Sequence, residues 1–107
     1  MLTDKEIEKL IDRIVTRIQP QKVMIFGSYA KGTATLKSDL DIFVIKKTEL
    51  PMTHRANDLK SMLSNLLIPI DIHIYTPEEV EAYRHEKFSF INSVIESGII
   101  VFEKRYG

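Results

Sequence analysis

The chain has 107 residues, 44% of them hydrophobic and 28% charged, with fifteen basic and fifteen acidic side chains that cancel. That length suits one folded core, and the balanced charge excludes a broad polyanion-binding face, so neither direct nucleic-acid binding nor attachment to a membrane surface is expected. Cysteine is absent, which excludes disulfides, thiolate zinc sites and a cysteine nucleophile, and no apolar run approaches the roughly 18 residues of a membrane-spanning helix.

The opening "MLTDKEIEKL" is charged and helical in pattern, without a signal peptide's apolar segment, so a cytoplasmic location is expected. Ile7, Leu10, Ile11, Ile14, Val15 and Ile18 share one face of a helix. Thr3 and Glu6 form a capping box at its start, Leu2 and Ile7 occupy the staple positions, and Pro20 ends it. "KVMIF" reads as a short buried strand closing on Gly27. The chain from Ser28 to Ser38 is small and polar, with at most one helical turn around Tyr29 to Lys31, and "DLDIFVI" is a second strand.

Ala56, Leu59, Leu63 and Leu66, flanked by Met62 and Leu67, predict a second amphipathic helix that Pro69 stops. "IDIHIY" is a third strand with Ile70, Ile72 and Ile74 on one face. Thr76, Pro77 and Glu79 then start another helix running towards His85. "FSFINSVIES" predicts a further short helix with Gly98 as its stop, and "IIVFE" a last strand. Helices alternate with strands, which gives an α/β or α+β domain over residues 1–107, a small mixed β-sheet flanked by helices.

The chemistry is concentrated between residues 25 and 45. Gly27 to Gly32 matches the first half of a P-loop, but Thr33 and Ala34 stand where that loop needs lysine and then serine or threonine, and no Gly-x-Gly-x-x-Gly is present. Asp39 and Asp41 are two apart on a predicted strand and project from one face, with Leu40, Ile42 and Val44 on the other. Asp71 stands in the same phase on the third strand. A helix between these two strands favours a parallel crossover, which places Asp71 beside Asp39 and Asp41. Three carboxylates so gathered repel unless a cation sits between them, and oxygen ligands select magnesium or manganese, ions that keep substrate phosphates in their shell. Gly27 then lets backbone amides approach a phosphate, and Ser28 adds a hydroxyl donor.

Gly27-Ser28, ten residues, then Asp39-x-Asp41 resembles the signature of the polymerase-beta-like nucleotidyltransferases. "GSYAKG" with "SDLDIFV" is most similar to the minimal nucleotidyltransferases of bacteria and archaea. The likeness covers nearly the whole chain, including the leading helix, a third strand with an aspartate, and the closing "SGIIVFEK". It implies the polymerase-beta-like fold and a transfer of AMP from ATP, a nucleoside triphosphate, to an acceptor hydroxyl with release of pyrophosphate. Asp39 and Asp41 would hold two magnesium ions, with manganese an alternative, and Asp71 would share one and help to activate the acceptor. Gly27 and Ser28 would hold the phosphates.

The resemblance also implies a partner. Minimal nucleotidyltransferases commonly pair with a HEPN-family toxin, and a chain of this size has little of its own with which to cradle an acceptor. Two rivals stand beside this reading, a small-molecule (antibiotic) nucleotidyltransferase and a non-catalytic antitoxin that neutralises by binding; a homo-oligomer is left open. Family members often carry arginine where Tyr29 or Lys31 stands, so Lys31 is either the basic phosphate contact or a solvated turn lysine. Ser38 either caps the turn or helps to bind triphosphate. His73 shares the face of Asp71 and reads either as a packing residue or as part of the site, whereas His54 and His85 read as surface residues.

Overall fold

In the computed structural model, which describes residues 1–105, helix α1 (Asp4–Ile18) begins where its caps stand. Thr3 Oγ1 accepts from the Glu6 N–H at 3.2 Å, and Glu6 Oε1 accepts from the Thr3 N–H at 2.9 Å. Gln19 leaves the helix in a left-handed conformation with φ 49°, and Pro20 follows. Strands β1 (Lys22–Phe26), β2 (Leu40–Ile45), β3 (Ile70–Tyr75) and β4 (Ile99–Glu103) form one mixed sheet in the order β3-β2-β1-β4. β1 is antiparallel to both β2 and β4, and β2 is parallel to β3 as the sequence predicts. This is the expected α/β (α+β) architecture with a small sheet between helices.

The period-2 alternation of each strand sets what lies on the two faces. Leu40, Ile42 and Val44 of β2, Val23 and Ile25 of β1 and Ile74 of β3 pack with Leu10, Ile11, Ile14 and Ile18 of α1. On the opposite face, Met24 and Phe43 pack with Val80 of α4 (Pro77–Tyr83) and with Ile91 and Val94 of α5 (Phe90–Ser97). Burying each such side chain stabilises the fold by about 1.5–3 kcal/mol. Both faces of the sheet are therefore fixed by core packing, and so is the direction of every polar side chain inserted into a strand.

The segment between β2 and β3 departs from expectation. A continuous amphipathic helix is predicted there, but the chain forms two single 3-10 turns, Met52–His54 and Asn57–Leu59, and then α3 (Lys60–Ser64). Ser64 Oγ and Asn65 Nδ2 both donate to the Ser61 carbonyl, at 3.0 and 3.1 Å, and so compete for an acceptor that a longer helix would use. Of the predicted apolar stripe only Leu59 is fully buried.

Arg55 pins this irregular connection. It donates to Glu79 Oε1 and Oε2 at 2.6 and 3.2 Å, and to the carbonyls of Leu50 and Ile74 at 2.9 and 3.2 Å. Glu79 also accepts from the Thr76 N–H at 2.8 Å and completes the cap of α4. Hydrogen bonding from Arg55 is the main reason that the Glu79 carboxyl titrates below the usual carboxylate range. Its contribution to stability is therefore present above the ordinary carboxylate value and lost as the pH falls through the lowered one. Arg55→Met is expected to destabilise the fold by about 2 kcal/mol, since the arginine head is only 10% exposed while Glu79 retains some solvent. Chemical denaturation at neutral pH and again near pH 3 checks this; a difference that does not shrink in acid would disprove the assignment.

Elsewhere the boundaries lie within two residues of expectation, and the last strand falls on "IIVFE" as predicted. Gly98 does end α5, but in an extended conformation rather than a left-handed one. A side chain there would run into the Val94 carbonyl and the Met24 methyl, so the glycine serves close approach.

Candidate functional site

The site grows from the ends of two paired strands. β1 stops at Phe26, whose register partner on β2 is Asp41. The chain then turns directly into α2 (Gly27–Lys31) through Gly27, which has φ +73°. A Cβ at Gly27 would overlap Asp41 Oδ2 and crowd its carboxyl carbon. The backbone of the Gly-Ser turn thus lies directly against the second aspartate of Asp39-x-Asp41. The predicted single turn around Tyr29 to Lys31 is this short helix, and Tyr29 Oη anchors it to the start of α1 by accepting from the Leu2 N–H at 3.1 Å.

The parallel pairing of β2 with β3 places Asp71 directly opposite Asp41. Asp41 is half-buried and Asp71 exposed, while Asp39 sits one residue before β2 and is exposed. Burial first, and then the charges of Asp71 and Asp39, push the Asp41 carboxyl above the usual aspartate range; His73 pulls in the opposite direction. Sequence reasoning brings the three carboxylates to one place, and the structure makes them electrostatic neighbours. Among the described residues, however, no three His, Cys, Asp or Glu side chains close into a ready metal cage. The arrangement is an open acidic rim. Its donors are all hard oxygens and its mutual repulsion calls for a positive ion, so the residues present fit magnesium or manganese completed by phosphate oxygens and water.

Ser28 is half-buried in the first turn of α2, and its carbonyl accepts from the Thr33 N–H at 3.0 Å. Lys31 is exposed at the end of α2 and forms no ion pair among the described residues. Ser38 is engaged in the turn before β2, where its Oγ accepts from the Thr35 N–H at 2.8 Å. His54 and His85 are exposed.

His73 is the residue that sequence alone leaves ambiguous. It lies on the same face of β3 as Asp71, with Nε2 3.2 Å from Asp71 Oδ2. Its ring centroid is 5.0 Å from that of Phe90 and 5.8 Å from that of Phe26. Phe26 and Phe90 are neighbours of His73 that the sequence does not announce. The available signal is the phase of Phe26, which ends the strand paired with Asp41.

A model of the family "Polymerase beta, Nucleotidyltransferase" matches residues 8–106. The chain belongs to the polymerase beta nucleotidyltransferase family. It is an enzyme of the nucleotidyltransferase class. Among curated relatives, a candidate protein adenylyltransferase of Methanocaldococcus jannaschii is 24% identical over 106 residues, which cover 95% of this chain and 100% of that protein. The fold is shared with a candidate nucleotidyltransferase from Sulfolobus solfataricus, at a TM-score of 0.63 and 16% identity over 92% of this chain and 78% of that one. It is also shared with a toxin–antitoxin structure containing AMP-PNP, at a TM-score of 0.61 and 22% identity over 92% of this chain and 74% of that one. A toxin–antitoxin pair named MntA–HpeT matches at a TM-score of 0.58 and 19% identity, over 92% and 74% of the two chains.

Proposed function

We propose that residues 1–107 act as a single cytoplasmic nucleotidyltransferase domain that moves AMP from ATP to a hydroxyl on a HEPN-family toxin, and so works as an antitoxin by protein adenylylation. The observation that carries the reading is the contact of the Gly27 turn with Asp41, which itself stands opposite Asp71. A phosphate cradle and an acidic rim thereby meet at one point. The names of the relatives support the substrate and partner: one is a candidate protein adenylyltransferase, one structure contains an ATP analogue, and two are toxin–antitoxin assemblies.

In this reading Asp39 and Asp41 hold two magnesium ions, with manganese able to replace them, and Asp71 shares one. The ions, when bound, supply charge stabilisation at the reacting phosphorus. Gly27 and Ser28 hold the phosphates by backbone amides and a hydroxyl, and Lys31 and Ser38 complete the contacts to the triphosphate. The acceptor hydroxyl oxygen bonds to the α-phosphorus, the bond from that phosphorus to the bridging oxygen breaks, and pyrophosphate leaves. The hydroxyl proton passes to Asp71, the most exposed carboxylate that is also held in the sheet. Asp39 and Asp71 are exposed, which suits an acceptor that brings its own surface.

Calorimetric titration with ATP is expected to show binding in the presence of magnesium or manganese and little without; equal affinity in both conditions would remove the metal from the account. The acceptor is tested by intact-mass spectrometry of the co-purified partner after incubation with ATP. A gain of one or more AMP groups is expected. An unchanged mass together with full neutralisation of the toxin would instead establish the occluding antitoxin.

A further inference from the structure

We propose that His73 is a positioning residue for Asp71, holding one oxygen of that carboxylate so that the other is presented to the divalent cation. The inference rests on reading Asp39, Asp41 and Asp71 as the cation site. Asp71 stands on an edge strand with its side chain 57% exposed, and an unrestrained carboxylate there would sample several rotamers. The Nε2 contact at 3.2 Å engages Oδ2 alone and leaves Oδ1 available.

The His73 ring is itself packed. It sits in a three-ring cluster with Phe90 at 5.0 Å and Phe26 at 5.8 Å, tilted against both, and those two rings meet edge to face at 5.5 Å. Phe26 is the last residue before the Gly27 turn, and Phe90, 40% exposed, opens α5, so the ring cluster on one side of His73 joins the end of β1 to the start of α5. Partners that orient a metal ligand in this way are worth about 10–100-fold in metal affinity.

The test uses the full chain with Mn2+ and a non-hydrolysable ATP analogue, reading free Mn2+ by electron paramagnetic resonance. His73→Phe keeps a flat ring against its neighbours and removes the nitrogen beside Asp71; it is expected to weaken Mn2+ binding about tenfold. His73→Gln places an amide nitrogen near the former Nε2 position and is expected to recover most of that loss. Melting in chelator should differ little between these two variants, which separates positioning from packing. Phe90→Ala leaves that nitrogen but frees the ring, and should give a smaller loss of affinity. Native affinity in both His73→Phe and Phe90→Ala, or a His73→Gln variant as weak as His73→Phe, would overturn the inference. A native chain that binds no Mn2+ would remove the cation reading and this inference with it.

Discussion

Replacing Asp39 or Asp41 by asparagine is expected to slow nucleotidyl transfer at least about a hundredfold, equivalent to about 2.7 kcal/mol of barrier. The substitution keeps side-chain shape, so the fold and any partner interface should survive. For Asp41 the effect on stability has the opposite sign. Its carboxyl is held above the ordinary value of 3.8 by burial and by the charges of Asp71 and Asp39. A carboxyl raised in this way favours the fold below its unfolded value and loses that contribution as the pH rises through the folded one. At neutral pH without metal, the native chain therefore carries a charge that the fold disfavours. Asp41→Asn should melt higher than the native chain in chelator, and the gap should close in acid. Added magnesium should raise the native melting temperature and leave that of Asp41→Asn nearly unchanged. Asp71→Asn is expected to reduce turnover while retaining much of the ATP affinity. An Asp41→Asn chain that is both active and no more stable would mean that the acidic rim is ordinary surface.

Gly27→Ala is expected to match that loss of activity for a steric reason. The residue sits at φ +73°, where an L-side chain costs about 1–2 kcal/mol, and its Cβ would occupy the space of Asp41 Oδ2. Either the turn or the carboxylate must move, and a displacement of about 1 Å at a reacting centre can cost roughly a hundredfold in rate. Gly32 provides the control. It has the same φ of +73°, but a methyl group added there would meet nothing within 4 Å. Gly32→Ala should melt lower by a similar backbone cost and keep its transfer rate. If the two alanine variants lost equal activity, the contact of the turn with Asp41 would not matter to the reaction.

The elements that position the site are legible because each rests on a local signal. The Thr3–Glu6 and Thr76–Glu79 boxes, Pro77, and the alternation of Ile70, Ile72 and Ile74 all coincide with the structure. The pairing of Asp41 with Asp71 follows from phase and a crossover connection, although the crossover itself is broken into short turns where one helix is expected. That difference has a local part, at Ser64 and Asn65, and a long-range one. Arg55 reaches residues on β3 and α4, and no window of sequence around Leu59 records those partners. His73 is ambiguous in sequence for a similar reason, since the ring that packs on it from α5, Phe90, lies seventeen positions away in the chain. The sequence suggests that Gly27 permits close approach to phosphate, whereas the neighbour that requires a glycine there in the structure is Asp41.

Phe26 and Asp41 are adjacent because their strands are hydrogen-bonded partners, and the residues between Gly32 and Ser38 play no part in holding them together. The stretch is tied at its ends by Thr33 to Ser28 and by Ser38 to Thr35, and Leu36 at its tip is 84% exposed. The ten-residue interval by which the motif is recognised is thus a ruler that the molecule does not use. Chain added at Leu36 would loop into solvent while the sheet kept the distance between cradle and carboxylate. The loop therefore offers a place to graft a label or a binding peptide a few residues from the reacting centre, where it would disturb the Thr35–Ser38 turn and leave the contact of the Gly27 turn with Asp41 in place.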